Sequence, residues 1–92
     1  MNIVKQTLFI SLKNKELHLE VLLSNLQTAI TKNNDCVYFE VYKSDECKEE
    51  FLVYEEWTST EAIESGYEPK EIEYFNTKLK DIIFKKEILP AF

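Results

Sequence analysis

The residue order predicts an α+β domain in which strand, helix, strand, strand, broken helix and strand follow one another, a βαββαβ chain. Three observations predict it. Strand-like segments rich in β-branched and aromatic residues occupy 2–12, 36–44, 50–58 and 84–89. An apolar stripe at three- and four-residue steps runs through 15–32, and a second runs through 72–82. Two βαβ units joined by a hairpin close into a four-stranded antiparallel sheet with helices on one face, the ferredoxin-like architecture. At 92 residues a single domain over 1–92 is expected.

The first strand alternates weakly. Val4, Leu8, Ile10 and Leu12 fall on one face; Ile3, Lys5, Thr7, Phe9 and Ser11 fall on the other, a mixed face on which Phe9 marks partial cover. Asn14 then offers a side-chain acceptor for the free amides of a helix over Lys15–Lys32. Its stripe is Leu19, Leu22, Leu23, Leu26, Ala29 and Ile30, and Asn33-Asn34-Asp35 ends it. In the second strand Val37, Phe39 and Val41 share one face, and Cys36, Tyr38, Glu40 and Tyr42 the other. The polar turn 45–49 closes a hairpin. On the return strand Phe51, Val53, Glu55 and Trp57 face one way; Leu52, Tyr54 and Glu56 face the other.

Thr58 with Glu61 fits a capping box and predicts a short helix over Ser59–Ser65. Gly66, the only glycine, stands where that helix stops, and a positive φ is expected there. Pro69 suits the first turn of the next helix, along which Ile72, Phe75, Leu79 and Ile82 repeat. The last strand, Phe84–Leu89, ends at Pro90.

The composition narrows the partners. Hydrophobic residues make up 45% of the chain, enough for a core despite 30% charged residues. The net charge is −6 and all 11 cations are lysine. Without arginine, whose planar fork reads phosphates and base edges, an acidic chain is a poor nucleic-acid binder. An anionic membrane surface repels it too. The N-terminal stretch is too broken for a signal peptide, no run approaches the ~20 apolar residues of a membrane span, and a cytoplasmic location is the default. Cys36 falls at the start of the second strand and Cys47 in the turn beyond its far end, over ~20 Å apart, outside disulfide reach. Cys36 reads as a small buried filler and Cys47 as an exposed thiol. His18, outside the helix stripe, reads as solvent-facing, and two cysteines with one distant histidine make no metal site. Both faces of the hairpin carry large side chains. One aromatic-rich sheet face, Tyr38, Tyr42, Leu52 and Tyr54 or their opposite numbers, is left bare, and such a patch predicts a homodimer, sheet against sheet.

Three stretches resemble the antibiotic biosynthesis monooxygenase (ABM) domain family of dimeric α/β barrels. They are Cys36–Ser44, Phe51–Ile63 and Phe75–Ile83, and the most specific run is Glu55-Glu56-Trp57-Thr58-Ser59-Thr60-Glu61-Ala62-Ile63. The resemblance implies a cofactor-independent monooxygenase acting on an electron-rich quinol or polyphenol bound between sheet and helices. Such a substrate, once deprotonated, passes electrons to dioxygen itself; the protein holds it, removes a proton and excludes water. The chain departs from the family's pattern at Asp35, where glycine is frequent, and at Gly66 and Glu71, where histidines are frequent. The usual imidazoles for proton handling are therefore missing. A haem-degrading branch of the same fold wants tryptophan near Gly66 and histidine near Asn76, and has neither here.

Glu55, on a strand among Phe51, Val53 and Trp57, is the candidate catalytic base, because burial favours a carboxylate that takes up a proton; a solvated or dimer-paired carboxylate is the plainer reading. Trp57 fits equally the wall of an aromatic pocket and a packed core. Tyr67 and Tyr74 flank the helix break and are candidate partners of a phenolic substrate, with anchoring between surface and core the plainer alternative. Asn76 is a candidate donor to a substrate oxygen, or an exposed helix residue. The rival to an oxygenase is a non-catalytic dimer that binds a small aromatic ligand or a protein partner. An isomerase-like or dehalogenating relative of the barrel is a third option.

Overall fold

Seven elements carry the chain through residues 2–90, the part that the computed structural model describes. They are β1 (Ile3–Ser11), α1 (Glu16–Ile30), β2 (Cys36–Lys43), β3 (Glu50–Trp57), α2 (Thr60–Ser65), α3 (Pro69–Leu79) and β4 (Ile83–Ile88). The strands pair antiparallel in the order β2-β3-β1-β4, the ferredoxin-like arrangement, and the three helices cover one face. Among the described residues no helix is long and apolar enough to cross a membrane.

The hairpin decides which face is covered. Phe51, Val53, Glu55 and Trp57 all turn under the helices and are buried. The β1/β3 register sets Thr7 opposite Val53 and Phe9 opposite Phe51, so these β1 residues go under the helices with them. Thr7, Phe9 and Ser11 are buried, and the Phe9 ring meets Phe75 of α3 edge-on at 6.1 Å. The more apolar face of β1, with Val4, Leu8 and Ile10, is thus the one left uncovered. Alternation alone points the other way for β1, and the neighbouring strand overrides it, because parity along a strand is set by its pairing partner. The open face also carries Tyr38, Tyr42, Leu52 and Tyr54, with the Tyr38 and Tyr54 rings edge-to-face at 5.9 Å.

α1 lays Leu19, Leu22, Leu23, Leu26 and Ile30 against the sheet. Asn14 does not cap it. Asn14 takes φ 68°, a left-handed conformation that asparagine tolerates, and Lys15 stands at the cap without a side-chain bond. In β2 the register slips between Cys36 and Tyr38, so Cys36 lies opposite Trp57 and Tyr38 opposite Glu56. This bulge moves Cys36 off the face of Tyr38 and against the core, and leaves Val37 half exposed. Cys47, read as exposed, is half-buried with its thiol beside Glu49.

α2 begins one residue later than the capping-box reading. The Ser59 hydroxyl accepts from the Ala62 amide at 3.1 Å, while Thr58 donates its hydroxyl to Asp35 at 3.0 Å. Gly66 ends the helix at φ −73°, an ordinary right-handed value. Its reason for being glycine is space. A Cβ there runs into the Trp57 ring and the Ala62 carbonyl oxygen. Pro69 opens α3, and Phe75, Leu79 and Ile82 close the core beneath it.

Candidate functional site

Glu55 is 2% exposed, in the middle of an otherwise apolar row on β3. A buried carboxylate persists only where donors replace its water. Here two donors converge on Oε1. The Trp57 Nε1–H donates at 3.0 Å, and the Tyr67 hydroxyl donates at 2.5 Å. Trp57 reaches it because residues two apart share a strand face. Tyr67 comes from the link between α2 and α3. That link is drawn in by contact of Gly66 with the Trp57 ring and by the Asn33 Nδ2–H donating to the Gly66 carbonyl at 3.3 Å. The Trp57 and Tyr67 rings lie 5.8 Å apart, tilted by 41°. Burial, and then the Glu55 charge, push the Tyr67 phenol far above its ordinary range. Tyr67 is therefore a fixed donor and Glu55 the acceptor. Among the described residues nothing donates to the second carboxylate oxygen, Oε2.

Above this carboxylate lies a cavity of about 550 Å³ between the sheet and the α2–α3 segment. Phe9, Leu26, Val53, Ile63, Ile72 and Phe75 give it apolar walls; Glu55, Tyr67, Thr7 and Asn76 add polar groups. Lys5 and Lys86 line it from β1 and β4, and Glu64 and Pro69 from the α2–α3 side. Lys5 lies opposite Glu55 in register, but its Nζ stands over the Tyr67 ring, 5.8 Å from the centroid. The Lys86 Nζ stands 5.9 Å over the Phe9 ring. Burial, and then the positive charge of Lys5, lower the Lys86 ammonium's affinity for its proton, with the Glu55 charge opposing them. The Cys36 thiol lies close enough to feel the same carboxylate: burial first, then Glu55, push it up.

The structure brings Glu55, Trp57 and Tyr67 into one hydrogen-bonded group and sets Asn76 on the rim of the same cavity. Trp57 is 0% exposed and stands behind the carboxylate instead of lining the cavity. Tyr74 is elsewhere. It is 57% exposed on the outer side of α3, under the Lys78 ammonium at 5.6 Å, and lines a separate groove of about 590 Å³ between α1 and α3. That groove is no smaller, but it is walled by exposed Leu17, Val21 and Tyr74 and has no buried polar group in it. The cavity with convergent buried polar groups is the stronger candidate. Lys5 and Lys86 are the site residues that sequence reading misses. The available signal was the mixed face of β1, on which Lys5 alternates with Thr7 and Phe9. Among the described residues no three His, Cys, Asp or Glu side chains gather as a metal site.

The family model described as antibiotic biosynthesis monooxygenase matches residues 12–65. Solved structures share the fold over nearly the whole chain. PA3566 from Pseudomonas aeruginosa has a TM-score of 0.88 at 13% identity, covering 97% of this chain and 90% of that one. SO0527 from Shewanella oneidensis has a TM-score of 0.88 at 17% identity, covering 96% and 86%. A Bacteroides thetaiotaomicron protein, provisionally named an antibiotic biosynthesis monooxygenase, has a TM-score of 0.86 at 12% identity, covering 99% and 88%. At these identities the likeness is one of fold. No curated protein matches the chain.

Proposed function

The chain belongs to the antibiotic biosynthesis monooxygenase family, and from that premise we propose that it oxygenates a small electron-rich aromatic, an anthrone or a quinol, without a cofactor. The observation that carries this reading is the Glu55 carboxylate, tied through Oε1 to Trp57 and Tyr67, at the floor of a cavity with aromatic walls. A ring seated against Phe9 and Phe75 puts an acidic O–H or C–H near Oε2. Glu55 takes that proton as general base. The resulting anion gives electrons to dioxygen and forms a carbon–oxygen bond; the peroxide then loses water. In sum the substrate loses two hydrogens and gains one oxygen atom, and the other oxygen leaves as water, so no outside reductant is needed. Tyr67 and Trp57 position the carboxylate, and the apolar walls keep water from the anion. In this reading Asn76, on the rim, bonds a substrate oxygen. Tyr74 has no part in this cavity.

The reading includes a second copy of the chain on the open sheet face. Tyr38 and Tyr42, 43% and 50% exposed, and Tyr54 and Leu52 on the neighbouring strand form a patch of the kind that isolated domains rarely leave in water.

Oxygen uptake with a panel of anthrones and quinols tests the activity. Uptake above the uncatalysed rate with at least one of them, lowered roughly a hundredfold or more in Glu55→Gln, is the expected result. No uptake with any of them, or equal uptake by the variant, counts against it. A second reading, a non-catalytic binder of aromatic ligands, is favoured by Gly66 and Glu71, which put no imidazole where the family often has one. Tight binding without uptake supports that reading.

A further inference from the structure

The cavity contains two charges that the oxygenase reading does not use. Lys5 and Lys86 come from neighbouring strands, on the face that β1 and β4 turn toward the helices. Among the described residues three of the other nine lysines pair with carboxylates: Lys43 with Glu20, Lys48 with Glu16, Lys85 with Glu87. Among the described residues neither Lys5 nor Lys86 forms an ion pair, although acidic residues number 17 against 11 lysines. Each ammonium instead stands over an aromatic ring of the cavity wall, Tyr67 for Lys5 and Phe9 for Lys86. Two carboxylates share the cavity lining. Glu55 is taken up by Tyr67 and Trp57, and Glu64 is exposed on α2. Two like charges that line one cavity repel, and burial first, then the proximity of Lys5, weaken the hold of Lys86 on its proton. An anion between them relieves that repulsion, and the cavity of about 550 Å³ that both lysines line leaves room for a ring next to it.

We propose that the ligand of this cavity bears an anionic group, a carboxylate or a phenolate, which Lys5 and Lys86 hold while its aromatic ring lies against Phe9 with a hydroxyl turned to Glu55. The inference rests on the reading that the cavity above Glu55 takes an aromatic ligand, and it narrows that ligand to an aromatic acid or its equivalent. It also assigns the two lysines a second effect. When Glu55 takes the ligand's proton, the negative charge moves from the carboxylate to the ligand, toward the ammoniums.

The test is calorimetric binding of a matched pair, naphthol and hydroxynaphthoate, which differ only in the carboxylate. The wild-type protein is expected to bind hydroxynaphthoate roughly tenfold more tightly or better, and added salt is expected to shrink that advantage. The Lys5→Gln, Lys86→Gln double variant is expected to bring the two affinities within about twofold, while Lys86→Arg retains the preference. Equal affinities in the wild type overturn the anion assignment and leave the aromatic cavity standing. Absence of binding by either ligand overturns both. The salt titration on the unmodified protein reads the same charge effect independently of how the variants fold.

Discussion

The Trp57 indole Nε1–H and the Glu55 carboxylate, two residues apart on β3, are hydrogen-bonded at 3.0 Å in the interior of the protein. The bond turns an indole that fills the core into a support for a buried charge. Trp57 also sets the position of the second donor. Its ring packs on Gly66, and Gly66 is covalently next to Tyr67. One side chain therefore organises the carboxylate directly and its other partner through the backbone.

Removing the second donor is expected to cost stability. Tyr67→Phe keeps the ring against Trp57 and deletes the hydroxyl that donates to Glu55. A hydrogen bond to a charged acceptor contributes about 1.5–3 kcal/mol, and a loss at the low end of that range is expected for a tyrosine that is half-buried and not fully enclosed. Urea unfolding at neutral pH measures it. A change within experimental error would show that the bond adds nothing to the fold.

The same phenol gives an alkaline signature. Its folded-state pKa is raised above the ordinary 10.0, by burial first and then by Glu55. The stability linked to this shift is fully present below pH 10.0 and is lost as pH rises past it, because only the unfolded chain then releases the proton. Wild-type stability is therefore expected to fall more steeply above pH 10 than that of Tyr67→Phe. In a near-ultraviolet titration of the five tyrosines, the Tyr67 phenol is expected to ionise only as the protein unfolds. Parallel alkaline limbs for the two proteins would contradict this.

Gly66→Ala tests the close approach. The added methyl meets the Trp57 ring and the Ala62 carbonyl, both held in the core. Overpacking of this kind costs about 1–3 kcal/mol. Since φ at Gly66 is −73°, backbone strain contributes nothing, and the whole effect is steric. The emission of Trp57, the only tryptophan, is expected to change along with the thermal midpoint. An unchanged midpoint and spectrum would show that the link yields freely.

The open sheet face is expected to hold two copies together. Tyr42→Glu places a charge on an exposed strand position opposite Leu52, where the isolated chain tolerates it and a sheet-to-sheet contact does not. Analytical ultracentrifugation is expected to show a dimer for wild type and a shift toward monomer for the variant. A wild-type monomer at high concentration contradicts the second-copy proposal.

The order of elements was legible in the sequence because each carries its own period, and the row Phe51, Val53, Glu55, Trp57 could be read directly. The covered face of β1 could not. Val4, Leu8 and Ile10 outweigh Thr7 and Phe9 in apolar content, and only pairing with β3 reverses the choice. Cys36 was misplaced because a bulge breaks parity and leaves no compositional mark. Gly66 was expected at a positive φ from its place at a helix end, whereas a tryptophan nine residues earlier in the chain is what requires it. At the site, Glu55 stood out as a charge in an apolar row, but its two donors depend on how the α2–α3 link folds back. Lys5 and Lys86 belong to strands far apart in sequence, and their proximity exists only once β4 lies beside β1.

Proton removal by Glu55 can be observed apart from oxygen chemistry. An anthrone held under argon with the protein in deuterated water gives up its acidic C–H proton to the base and takes a deuteron back, and without dioxygen nothing further follows. The account predicts that wild type speeds this exchange well above the rate without protein at neutral pH and that Glu55→Gln does not. Bound anthrone that exchanges no faster with wild type than in its absence, or equally fast with both proteins, would contradict it.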